Sequence, residues 1–151
     1  MRPLRAARGF TLLEVLMVLV IAAAGFALVV RFTSAGVSGA ELKSAARTVA
    51  AGLRAARGTA IATQESAAML LDLDRRTIEV TGAAKPRALS DRLELKLYTA
   101  QSEVRDDRHG AIRFYPDGSS TGGRVTLSAG ERKLLVDVDW LTGRGSIKEG
   151  G

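Results

Sequence analysis

Arg8-Gly9-Phe10-Thr11-Leu12-Leu13-Glu14 opens the stretch whose reading decides the fold, because it joins a basic leader to an unbroken apolar run. Residues 10–30 contain one charge, Glu14, and thirteen Phe, Leu, Ile or Val side chains. As a helix, 21 residues at about 1.5 Å each extend roughly 31 Å, the thickness of a bilayer's hydrocarbon core. Those thirteen side chains favour insertion by on the order of 4 to 8 kcal/mol, against about 3 kcal/mol for one mid-membrane charge. Insertion is therefore expected despite Glu14. Arg2, Arg5 and Arg8 precede the run and Arg31 follows it. The positive-inside rule then keeps the N-terminus cytoplasmic and exports everything after Arg31. A cleaved secretory signal with its site near Ala22, Ala23 and Ala24 fits less well. The run exceeds the usual apolar region of about 7 to 15 residues, and a carboxylate inside it serves no purpose there.

Beyond the membrane run the pattern stays helical. Leu42, Ala45, Val49, Leu53, Ala56 and Ala60 recur three or four apart and make one apolar stripe. Glu41, Lys43, Arg47, Arg54 and Arg57 lie opposite, as on a solvated face. Gly36, Gly39, Gly52 and Gly58 are poor helix formers at about 1 kcal/mol each, so a bend is expected near Gly36 and Gly39. The helix should end at residues 63–65.

The period then changes to two. Residues 67–73 and 77–81 flank Asp74, Arg75 and Arg76 as a hairpin. Leu93, Leu95 and Leu97 mark a third strand, Ile112 and Phe114 a fourth. Val125 and Leu127 start another hairpin that turns at Ala129 and Gly130 into residues 134–139, and Ile147 marks a last short strand. One helix followed by strands is an α+β architecture, a long helix on an antiparallel β-sheet head.

Composition narrows the chemistry. The 151 residues suit one ordinary domain, and 46% apolar content supports a core. With no cysteine, disulfides, thiolate zinc sites and cysteine nucleophiles are excluded. The net charge of +6 falls to +3 without the first nine residues, so charge alone does not point to nucleic acid. His109 is the sole histidine and sits among Asp106, Asp107 and Arg108 in a polar loop, leaving Ser119 and Ser120 without a base. The glycine- and hydroxyl-rich residues 116–123 lack the lysine and helix start of a phosphate loop and read as a turn. Asp72, Asp74, Asp106 and Asp107 lack calcium-loop spacing, so no metal and no cofactor is assigned. Trp140 reads as a core or turn-packing aromatic.

The basic leader, Gly9, Phe10 and a carboxylate one helical turn into the bilayer together resemble the class III signal of type IV pilins and type II secretion pseudopilins. A lone membrane carboxylate is a functional-site candidate in its own right. The resemblance implies that a prepilin peptidase removes residues 1–9 by cutting between Gly9 and Phe10, and that Phe10 becomes N-methylated. It implies that Glu14 pairs with the N-terminal amine of a neighbouring subunit during assembly. It also implies four segments: the leader 1–9, a transmembrane helix 10–30, its periplasmic continuation 31–65 and a β-rich head 66–151.

Three further stretches are similar to the GspH/FimT group of minor pilin-like proteins. They are residues 55–63 (Ala-Ala-Arg-Gly-Thr-Ala-Ile-Ala-Thr), 112–123 (Ile-Arg-Phe-Tyr-Pro-Asp-Gly-Ser-Ser-Thr-Gly-Gly) and 138–143 (Val-Asp-Trp-Leu-Thr-Gly). The H-type minor pseudopilin is the nearest subgroup. That resemblance implies a non-enzymatic subunit near the pseudopilus tip, held in the inner membrane before assembly and partnered by other minor pseudopilins and the major one. Two other classes stay open on the residues alone: a FimT-like minor pilin of pilus assembly or DNA uptake, and a tethered periplasmic enzyme. Against DNA binding, the tail Gly143-Arg144-Gly145-Ser146 lacks a second arginine, and Asp106, Asp107 and Asp117 interrupt Arg105, Arg108, Arg113 and Arg124.

Overall fold

The computed structural model describes residues 11–33 and 39–150. They fall into two separate compact units that divide between Ala35 and Gly36. The first contains helix α1, Leu12–Thr33. Thr11 caps it: the Glu14 backbone N–H donates to Thr11 Oγ1 at 3.3 Å and to the Thr11 carbonyl at 3.1 Å. Leu12, Leu16, Leu19, Val20 and Phe26 are all more than half exposed. From Leu12 to Phe26 the helix is apolar on every side except at Glu14. Among the described residues no helix is long and apolar enough to cross a membrane. The span expected over residues 10–30 extends beyond the described side chains of α1 at both ends.

The second unit begins with α2, Gly39–Thr63. The junction expected to make one continuous helix, and any bend at Gly36, lie outside the described residues. Among the described residues nine strands follow: β1 (Ala67–Asp72), β2 (Thr77–Val80), β3 (Arg87–Ala88), β4 (Glu94–Thr99), β5 (Val104–Asp106), β6 (His109–Phe114), β7 (Gly123–Ala129), β8 (Arg132–Val138) and β9 (Gly145–Gly150). They form two antiparallel sheets, ordered β3-β2-β1-β6-β5 and β4-β7-β8-β9. The sequence predicted a single run of strands; the split arises because β4 pairs with β7 and leaves β6 to pair with β1.

The stripe read from the sequence is the side of α2 that faces both sheets. Leu42, Val49, Leu53, Ala56 and Ala60 are buried in one core with Met69, Leu71 and Ile78 of the first sheet and Val125, Leu127 and Val136 of the second. Alternation does the rest: Val125 and Leu127 pair with Val136 and Leu134 and point inward, while Arg124 pairs with Asp137 on the outer side. Gly52 lets α2 approach the first sheet, since a Cβ there would sit 3.0 Å from Met69 Sδ and 3.2 Å from Ile78 Cδ1. Its helix-propensity cost is offset by close packing. Gly58 faces open space and nothing in the structure explains it.

Of the two readings of Trp140, a core or a turn-packing aromatic, the first is corrected: its side chain is 64% exposed, and the residue stands in the turn that follows β8. It borders a surface groove of about 830 Å³ with Tyr98 and Val104.

Candidate functional site

Glu14 stands at the third position of α1, one turn from its start, with its side chain exposed. Thr11-Leu12-Leu13-Glu14 has the form of a capping box, a threonine followed three residues later by a glutamate. Here the threonine half is present, and the carboxylate has no partner among the described residues. The α-helix dipole favours an acid at this place, and a cation brought to it would complete the charge balance. Gly9 and Phe10 lie outside the described residues.

The three stretches singled out in the head converge on one junction. Arg57, on α2, turns inward and donates from Nε to the Gly118 carbonyl at 3.1 Å. It is therefore only half exposed and does not belong to the solvated face on which the sequence placed it. Gly118 and Gly143 both adopt positive φ, at 84° and 59°. A Cβ on Gly143 would lie 2.2 Å from the Gly118 carbonyl oxygen and 3.0 Å from Arg57 Nε. The loops before β7 and after β8 thus touch backbone to backbone, with the guanidinium sealing the contact.

The hydroxyls of this region serve the same junction. Ser119 Oγ donates to Asp117 at 2.6 Å. Ser120 Oγ donates to the Asp139 carbonyl at 3.2 Å and accepts from the Gly122 N–H at 3.0 Å. The Ser120 N–H donates to the Trp140 carbonyl at 2.8 Å, and Asp139 Oδ1 accepts from both the N–H and the hydroxyl of Thr142 at 2.8 Å. Both serines are consumed by turn geometry, and the turn expected over residues 116–123 is observed.

Gly143→Ala should therefore lower the stability of the head by about 2 to 4 kcal/mol, combining a positive-φ penalty with a backbone clash. Thermal unfolding of the detergent-solubilised chain should show a midpoint drop of about 10 °C or more. Gly58→Ala, with no contact to relieve, should leave the midpoint unchanged or raise it by a few degrees.

His109 sits apart, at the start of β6. Its Nδ1 lies 2.8 Å from Asp106 Oδ1 and its Nε2 3.4 Å from Asp72 Oδ2. Since a carboxylate only accepts, Nδ1 carries a proton. The Asp106 hydrogen bond, joined by the charge of both carboxylates, holds the imidazole above its ordinary pKa, with burial opposing. Asp106 is held below the usual carboxylate value by the Arg108 backbone N–H first and by His109 next. Asp72 is lowered chiefly by the Arg75 backbone N–H. Among the described residues no group of three or more His, Cys, Asp or Glu is placed to hold a metal ion.

The arginines considered for DNA contact are mostly committed elsewhere. Arg113 makes a two-pronged bond to the buried Glu103 at 2.9 and 3.2 Å, and Arg108 pairs with Asp74 at 2.6 Å. Arg124 pairs with Asp137, which also accepts from Lys148 at 3.2 Å. Sequence spacing gave no sign of these long-range pairs.

Comparison with known proteins gives the junction and the N-terminus a common setting. The family described as type II transport protein GspH matches residues 45–143, which include all three converging stretches. The prokaryotic N-terminal methylation motif matches residues 4–30. The type II secretion system protein H of Xanthomonas campestris pv. campestris is 37% identical over 139 residues, covering 92% of this chain and 82% of the relative. Among solved structures, the minor pseudopilin EpsH of the type 2 secretion system of Vibrio cholerae superposes with a TM-score of 0.54 at 12% identity. It covers 74% of this chain and 97% of its own. The type IV minor pilin FimU of Pseudomonas aeruginosa gives 0.54 at 16%, covering 71% and 92%. The fold is accordingly type IV pilin-like, and the chain belongs to the GspH family of type II transport proteins.

Proposed function

We propose that the protein is a minor pseudopilin of the type II secretion pseudopilus, a structural, non-enzymatic subunit that assists export of folded proteins across the outer membrane. The observation that carries this reading is α1: its side chains from Leu12 to Phe26 are exposed and apolar except for one unpaired carboxylate, Glu14, in the first turn. Such a surface calls for lipid first and for other helices of the same kind afterwards. In this reading prepilin peptidase cuts between Gly9 and Phe10 and Phe10 is methylated. The chain then waits in the inner membrane, with its N-terminus cytoplasmic and its head periplasmic. On assembly Glu14 pairs with a neighbour's N-terminal amine, because a buried carboxylate and a buried amine each cost several kcal/mol alone and far less together. Its partners are the other minor pseudopilins and the major one. The DNA-uptake alternative is not adopted: Arg108, Arg113 and Arg124 already neutralise carboxylates, which leaves few charges for phosphates.

Glu14→Ala tests the reading. The variant should insert, keep a folded head and fail to co-purify with the other pseudopilins from detergent extracts, with secretion reduced at least about tenfold, the effect of some 1.4 kcal/mol. Assembly and secretion at wild-type levels would remove Glu14 from any pairing role.

A further inference from the structure

Two adjoining hollows where α2 begins beside β8 and β9 gather most of the head's unbalanced charge. Lys43 and Arg47 of α2 line them together with Arg132 and Lys133 of β8 and Lys148 of β9. Glu131 and Glu149 oppose these five cations there, and Lys148 also donates to Asp137. Residues 39–151 hold 18 basic and 15 acidic side chains, so the excess of two left at this one end is most of the segment's three. Lys43, Arg47 and Lys133 are exposed and make no ion pair among the described residues. A solvated helix face explains single lysines, but not the concentration of most of a segment's excess at one end.

The position of that end along the chain suggests what it meets. Gly39, at the edge of one hollow, follows Thr33, the last residue of α1, by six peptide links. At about 3.6 Å per link, the intervening chain can extend roughly 22 Å at most. With α1 in the bilayer, this length limits how far the basic end can stray from the membrane, and that end carries the sign that anionic lipid attracts.

We propose that this surface docks the head of the unassembled subunit on anionic phospholipid headgroups. The inference rests on the membrane-anchored reading above. It assigns a lipid-facing role to Lys43, Arg47 and Lys133, residues outside the Glu14 assembly site and the Arg57 junction.

The test uses the full chain in nanodiscs of phosphatidylcholine alone or with one-third phosphatidylglycerol. Amide hydrogen exchange over residues 39–47 and 129–134 should slow at least about threefold in the anionic discs and return to the neutral-disc rate in about 0.5 M salt, which shortens screening to a few ångström. Exchange in β1 should be equal in both discs. Lys43→Glu with Arg47→Glu should abolish the difference while leaving β1 protected, which shows that the variant is folded. Equal exchange in both discs, with the chain retained, overturns the inference and leaves the anchor intact. Release of the chain by alkaline carbonate overturns the anchor and the inference together. The same slowing by polyglutamate in neutral discs would assign the surface to an acidic protein and overturn the lipid assignment.

Discussion

Leu53→Asp is expected to unfold the head. Leu53 is 2% exposed and lies in the core shared by α2 and both sheets. Removing a buried leucine side chain alone costs about 2 to 5 kcal/mol. An aspartate there must also lose its hydration in a core of apolar side chains such as Val49, Met69 and Leu127, which donate no hydrogen bond, or take up a proton to stay neutral. Either route adds several kcal/mol, and the total rivals the 5 to 15 kcal/mol that hold a typical domain together. Leu53→Met, which conserves volume, should cost less than about 1.5 kcal/mol. Circular dichroism and limited proteolysis of the detergent-solubilised chain should show a cooperative thermal transition for Leu53→Met and none for Leu53→Asp. A cooperative transition in the aspartate variant would mean that α2 does not anchor the core.

The success of the sequence reading at Leu53 and its failure at Arg57 have one physical cause. Periodicity reports which face of an element is apolar, so the stripe from Leu42 to Ala60, the hairpin of β1 and β2 and that of β7 and β8 were all legible. It cannot report where a polar side chain finds its partner. Arg57 has the spacing of a solvated charge, yet its partner is a carbonyl 61 residues away, in a loop whose glycines read only as a turn. Glu103 and Arg113 were likewise unreadable as a pair, because they stand ten residues apart on segments that the pairing of β5 with β6 brings side by side. The edge strands β3 and β5, with two and three residues, are too short to show any period. Arg76 adopts φ of 54° without being glycine, supported by its own guanidinium donating to the Leu93 carbonyl at 2.5 Å. The sequence marks the turn at Asp74, Arg75 and Arg76, but no local pattern announces the left-handed backbone at Arg76. At the N-terminus the Thr11 to Glu14 spacing marks a helix cap, and Thr11 does cap α1.

That cap bears on the last expectation, the fate of Gly9→Val. A peptidase acting at a membrane surface needs an extended, accessible peptide bond, and α1 begins only at Leu12, after the Thr11 cap. Glycine presents no Cβ to a peptidase cleft, whereas valine adds a branched side chain beside the scissile carbonyl and restricts its backbone. In cells with active prepilin peptidase, the wild-type chain should lose nine residues, about 1 kDa of its 16.0 kDa, and begin at methylated Phe10. Gly9→Val should keep the full mass and remain in the membrane fraction. It should also fail to assemble, because the amine that a neighbour's Glu14 would meet stays at the far end of a leader carrying Arg2, Arg5 and Arg8. Intact mass and N-terminal sequencing decide the matter. A mature wild-type terminus beyond Ala22 would instead make the apolar run a secretory signal, and α1 would then have no place in the mature protein.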